Sequence, residues 1–535
     1  MQLFPPSAAA SRARGPLVLA LSIFGLVSSS FCQDVLTYHN NNARTGFDNQ
    51  EQTLTLANVN PTTFGKLFTV AADGLVDAEP LYVSNVTIAG VAHNLLIVVS
   101  EHDSVYVYDA DTGARLWQVT TLPVGETTSD DRGCSQVTPE IGITSTPVVV
   151  RPKNSHPVIY VVAMSKDSSG NYHQRLHALD ATNGSELAHG PVDIQAQYPG
   201  IGDNSVNGYV IFDPSQYKER AGLLLVGSTV YLAWASHCDY RPYTGWIMGY
   251  SARTLAQTTV INVTPNADEG AIWNSGAGMA ADASGNIFLL DANGVFDTKL
   301  NSSGFPSESD FGNAFLRLTT QGGLAVADYF EMFNGVNESD RDVDLGSGGA
   351  LLTNQNDSTG KTWELAVGAG KDGNLYVVDR TNMGKFNSKT NNIYQELQSV
   401  LGGGVWAMPA AAGPMIYYGP QNSPIMAFRF QNAKLAASPV AQTSNAFGYP
   451  GATPSISANE GKNAIVWAAE NTNPAVLHTY NAQTLAEIYN SNQAANGRDH
   501  FGAGNKFITP MIANGKVYVA TTKGVGVFGL LNPAK

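Results

Sequence analysis

Apolar positions along the chain gather in short runs separated by polar turns rich in Gly, Asn and Asp. One unit recurs. A small residue or Pro opens a strand, an apolar strand follows, then a tight polar turn, then a second strand that ends in another turn. The clearest copy is Val105-Tyr-Val-Tyr-Asp109-Ala-Asp-Thr112-Gly113-Ala-Arg-Leu-Trp117. Successive side chains of a strand point to opposite faces, and Asp and Gly supply the local hydrogen bonds and the positive φ of the turn. Trp117 stands where it can fold back onto a neighbouring unit. Further copies run over residues 176–187, 247–255, 287–296, 375–386, 425–435, 477–485 and 517–530, which makes eight. Strand openers recur in Glu79-Pro80-Leu81, Ser145-Thr146-Pro147, Thr453-Pro454-Ser455 and Thr509-Pro510-Met511.

A lone unit of this kind cannot bury both faces of its sheet, so the copies must stack. The pattern predicts an all-β fold: an eight-bladed β-propeller of four-stranded antiparallel blades. The apolar run 64–71 is placed to close the ring by adding a strand to the last blade, near 517–530. The copies are spaced by roughly 40 to 90 residues, against about 40–50 for a regular blade, so the longer intervals carry inserted loops. Candidates are residues 127–140, 198–219, 297–313 and 334–344, and such insertions gather on one face, often the binding face. Few segments read as helical, and residues 390–400 are the best short candidate.

Composition agrees with this picture. Of 535 residues, 53 are Gly and only 14% are charged, as suits an all-β chain with many tight turns. The net charge of −14 argues against nucleic acid as a partner, because phosphate binding needs a basic surface. Arg12 and Arg14 precede an apolar run that ends in Ser28, Ser29 and Ser30, the order of a secretory signal. Residues 1–32 are therefore expected to be a signal peptide and residues 33–535 a single propeller domain. The location implied is secreted or periplasmic. The leader run is too short to span a bilayer, and no later stretch reads as transmembrane. Beyond Cys32, two cysteines remain, Cys134 and Cys238. In an oxidising compartment they are candidates for a disulfide; two unpaired buried thiols are the alternative.

Three stretches carry a family resemblance. Asp109…Thr112-Gly113…Trp117 resembles the tryptophan-docking motif of pyrroloquinoline quinone (PQQ)-dependent alcohol dehydrogenases. Lys371-Asp-Gly-Asn-Leu-Tyr-Val-Val-Asp379-Arg380-Thr381-Asn382-Met-Gly384-Lys385 is similar to that family's Lys-Asn-Gly…Leu-Asp-Arg-Thr-Asn-Gly-Lys segment. Trp273-Asn-Ser…Ala-Asp282…Asn293-Gly294 is similar to its Trp…Asp-Pro…Gly-Asn-Gly stretch. The resemblance implies that Trp273 forms the floor on which the quinone stacks and that Lys371 contacts the quinone. It implies calcium-ligand roles for Asn293 and for Asp239, which lies near the family's calcium-binding Glu. These residue types suit the chemistry: an aromatic face for stacking, a cation at the quinone carbonyl, and oxygen donors for a hard Lewis-acid ion.

The pattern also departs from the family. Its general base is an Asp in a Gly-Asp-Asn motif, and the comparable run here, Phe311-Gly312-Asn313, puts Gly312 at that place. No adjacent cysteine pair is present, and no Cys-x-x-Cys-His haem site. Local structure offers plain alternatives as well: blade packing for Trp273, a hairpin turn for Asn293-Gly294, an exposed turn for Lys371 and a solvated loop for Asp340–Asp344. Whether the chain is an enzyme stays open at this point. One reading is a PQQ- and calcium-dependent oxidoreductase of an alcohol or sugar. The other is a non-catalytic propeller that binds a glycan, another small molecule or a protein through its loop-rich face.

Overall fold

The computed structural model describes residues 34–531, so the expected leader, residues 1–32, lies outside the described residues. The chain is nearly all β. Eight sheets among the described residues are built on a run of four hydrogen-bonded antiparallel strands. The first blade comprises Leu81–Ile88, Val91–Val99, Ser104–Asp109 and Arg115–Thr120. Blades two to eight open with Val148–Val150, Tyr217–Glu219 together with Leu224–Val226, Ala280–Ala281, Leu351–Asn356, Ala410–Ala412, Ser455–Asn459 and Met511–Ala513. In the eighth, Phe64–Ala71 pairs antiparallel with Gly524–Leu530, from Phe64 against Leu530 to Ala71 against Gly524. This is the β-propeller plan, reached by radial repetition of small sheets.

The core lies between blades. One apolar cluster joins Tyr160 and Leu176 of the second blade to Leu232 and Trp246 of the third. Others bridge the third and fourth, fourth and fifth, fifth and sixth, and sixth and seventh. Central strands are therefore covered on both faces: every residue of Ser104–Asp109 and of Ile287–Leu290 is buried. The helix expected at 390–400 does not form. Gln395–Leu397 is instead the outer strand of the fifth blade, paired with Leu375–Val377, and Leu397 is buried in the core between the fifth and sixth blades. Pairing with an available strand edge outweighs a weak local preference.

The segment before the first blade has its own role. Val35 exchanges backbone hydrogen bonds with Tyr82, and Leu36, Asn42, Ala43, Thr45 and Gly46 accept from Val149, Ala281, Leu352, Ala411 and Ile456. Asn42 Nδ2 also donates to Leu225 O at 2.7 Å. The segment thus laces the first strands of seven successive blades. Arg44, fully buried, secures it by donating to the carbonyls of Met279, Tyr38 and Leu223 and to Thr37 Oγ1.

Candidate functional site

In a propeller, the outer strand of one blade leads back to the first strand of the next, so these connections converge on one face. Here they enclose a pocket of about 260 Å³. Trp273 lies on the connection into the fourth blade, Asp342 and Asp344 on that into the fifth, and Trp406 on that into the sixth. Tyr449 precedes the seventh blade, and Lys506 and Phe507 precede the eighth. Asp239 and Lys371 come from turns within the third and fifth blades.

Three of the four residues singled out for cofactor and metal binding, Trp273, Lys371 and Asp239, line this one pocket. The fourth, Asn293, stands beside it. Its Nδ2 donates to Asp342 Oδ1 and its backbone N–H to Asp344 Oδ1, both at 2.9 Å. The turn expected at Asn293-Gly294 therefore coexists with contact to the site. Lys371 Nζ bridges Asp342 and Asp344, lying 2.5 Å from Asp344 Oδ2. Burial opposes the Lys371 charge, but Asp344 and Asp342 more than offset this and hold the ammonium above its ordinary value. Burial pushes the Asp344 carboxyl up against the pull of Lys371. Nearby, burial and then repulsion from Asp239 push Glu269 up to about 7.

Gly312 stands where the resemblance would put a general-base Asp. A Cβ there would lie 2.2 Å from the Gly294 backbone, so no larger side chain fits, and the neighbouring Asn313 side chain accepts from Leu345 N. The acids of the pocket are Asp239, Asp342 and Asp344. The run Asp340–Asp344 is accordingly only in part a solvated loop: Asp342 is exposed, but Asp344 is 6% exposed. The signal for it was the insertion at 334–344 on the expected binding face. Nothing in the sequence marked Trp406, Arg220 or Lys506.

Cys134 and Cys238 form a disulfide with Cα atoms 5.5 Å apart, and Cys238 lines the pocket with Trp273. A disulfide thus borders the site although its cysteines are 104 residues apart in sequence.

A planar quinone fits the aromatic walls, Trp273 and Trp406, in their chemistry. For a cation, Asn293 Oδ1 is the telling atom. It is buried without a hydrogen-bond partner among the described residues, which leaves it free to accept from a hard ion. Among the described residues no group of three or more His, Cys, Asp or Glu side chains is arranged to hold a metal, so an ion here would rest on mixed amide and carboxylate donors.

The fold is that of the quinoprotein dehydrogenase propellers. Quinohemoprotein alcohol dehydrogenase from Comamonas testosteroni is similar over 94% of this chain and 81% of its own, with 14% identity and a TM-score of 0.61. A quinohemoprotein alcohol dehydrogenase from Pseudomonas putida HK5 gives 13% identity, the same coverages and 0.63. A europium-containing methanol dehydrogenase is similar over 93% of this chain and 98% of its own, with 14% identity and 0.58. No protein-family model and no curated protein matches the sequence. Among the described residues no helix is long and apolar enough to cross a membrane.

Proposed function

We propose that the pocket binds PQQ together with a hard cation, calcium in the first instance, and that the protein is an exported oxidoreductase of alcohols or sugars. The observation that carries this reading is convergence. Trp273 and Lys371 were selected from separate motifs and Asp239 from its place near the family's calcium-binding Glu, yet all three line one pocket, with Asn293 bonded to two of its acids. The fold likeness to alcohol and methanol dehydrogenases supports it.

On this reading Trp273 supplies the stacking surface, Asn293 Oδ1 and the adjoining carboxylates hold the cation, and Lys371 orients Asp342 and Asp344. Asp344 is buried and already engaged by Asn293 and Lys371. Asp342 is the carboxylate an incoming hydroxyl would meet, and its oxygen is the base that takes the hydroxyl proton. The quinone, when bound, supplies the two-electron acceptor. With no haem motif in the chain, electrons would leave to a separate acceptor.

The test is a titration of the mature protein with PQQ in calcium and in chelator, followed by quinone absorbance and tryptophan fluorescence. Saturable, calcium-dependent binding is expected, weakened tenfold or more by Trp273→Ala. Absence of binding at high micromolar quinone would overturn the cofactor reading and leave a propeller that binds other ligands through this face.

A further inference from the structure

Arg220 is anomalous. It is 7% exposed, lines the pocket, and stacks over the Phe507 ring at 4.5 Å. Yet it makes no hydrogen bond or ion pair among the described residues. The contrast is Arg44, whose guanidinium meets four acceptors. A guanidinium that faces a pocket with no protein acceptor is free to meet an anionic ligand there.

Two lysines stand with it. Lys506 lines the same pocket and donates to Gln136 O at 2.7 Å. Lys218, fully buried, donates to Gln136 Oε1 at 2.5 Å and lies 5.2 Å from the Trp273 ring centroid. None of the three forms an ion pair among the described residues. Burial depresses all three, and Arg220 further depresses both lysines. Asp77, the carboxylate whose field most favours the Arg220 charge, lines an adjoining cavity and accepts from Asn505 at 2.6 Å. Lys218 and Arg220 belong to the third blade and Lys506 leads into the eighth, while the Gln136 that both lysines meet leads into the second. The Asp342–Lys371–Asp344 cluster belongs to the fifth and balances its own charge more closely.

We infer that Arg220 and Lys506, backed by Lys218, form a carboxylate-binding subsite, so that the ligand of this pocket is an organic acid. The guanidinium fork matches a carboxylate in plane and spacing, and an aromatic wall behind it strengthens the pairing. The carboxylate has two sources: the acid groups of the quinone, which is itself a tricarboxylic acid, or those of an acidic substrate. The first source rests on the cofactor reading; the second does not.

Calorimetric titrations of the mature chain in calcium distinguish these. The probes are benzene-1,3,5-tricarboxylate, PQQ and the PQQ trimethyl ester, applied to the wild type, Arg220→Met and Lys506→Gln. The tricarboxylate is expected to bind the wild type, with affinity falling tenfold or more in Arg220→Met and severalfold in Lys506→Gln. Arg220→Met is also expected to leave the melting temperature of the ligand-free protein close to that of the wild type, since no protein hydrogen bond or ion pair is lost; a purely structural arginine would lower it. Should Arg220→Met fail to fold, Lys506→Gln carries the binding comparison. Equal losses of PQQ affinity on esterification and on mutation assign the subsite to the quinone. Arg220-dependent tricarboxylate binding that persists with PQQ bound assigns it to an acidic substrate. Tricarboxylate binding without any quinone binding sinks the cofactor reading and leaves the subsite standing. If the acids fail to bind, or bind wild type and both variants equally, the subsite is refuted.

Discussion

Asp342 and Asp344 face the same ammonium two residues apart, yet their side chains are 67% and 8% exposed. An exposed ion pair is worth little, whereas removing one partner of a buried pair leaves an uncompensated charge. Lys371→Met is therefore expected to lower unfolding stability by about 2–4 kcal/mol. Asp342→Asn should stay within about 0.5 kcal/mol of wild type. Urea titrations of the two variants give the comparison, and equal losses would show that Asp344 is not the acid that needs Lys371. At this scale Trp273 and Lys371 were legible because motifs marked them, and Asp239 only through its place near the family's calcium-binding Glu. Asp344 was not, because an alternating charge run does not reveal which of its carboxylates the chain will fold over. Arg220 was invisible for the same reason: its burial depends on Phe507, about 290 residues away along the chain.

The repeated element is a turn glycine covered by an aromatic ring from the preceding blade. Gly113 has φ +76° and a Cβ there would lie 2.7 Å from the Phe68 ring; Gly184 has φ +75° and would meet the Trp117 ring at 2.8 Å. Trp117 Nε1–H also donates to Ala181 O at 2.9 Å, which ties the first blade to the second. Gly184→Ala adds left-handed strain and displaces that ring, and is expected to cost about 1–3 kcal/mol. A melting curve indistinguishable from wild type would show that the ring docks elsewhere. The Asp-x-x-x-Gly pattern announced these turns, and Trp117 packs where the sequence suggested. The covering of central strands on both faces was less legible, because alternation fades when neighbouring blades bury the outward side chains too. The missing helix at 390–400 reflects the same competition, decided by pairing with Leu375–Val377.

For the whole molecule, the N-terminal lacing matters most. Segment 35–46 contacts the first strands of seven blades and is held by Arg44. Arg44→Met strips donors from buried carbonyls of the segment and of the third and fourth blades, and should cost about 3 kcal/mol or more. Because the segment touches so many blades, the loss should appear as one cooperative transition at lower urea; a separate early step would show that the lacing folds independently of the ring. Strand runs, turn chemistry and the aromatic that docks on the next unit are local, and the sequence by itself determined them, along with the all-β propeller they build. Which acids are buried, how Cys134 meets Cys238, and that Arg220 stacks on Phe507 without an ion pair were decided only by tertiary structure. Each depends on connections from distant blades closing over one face, and no local pattern records the distances between them.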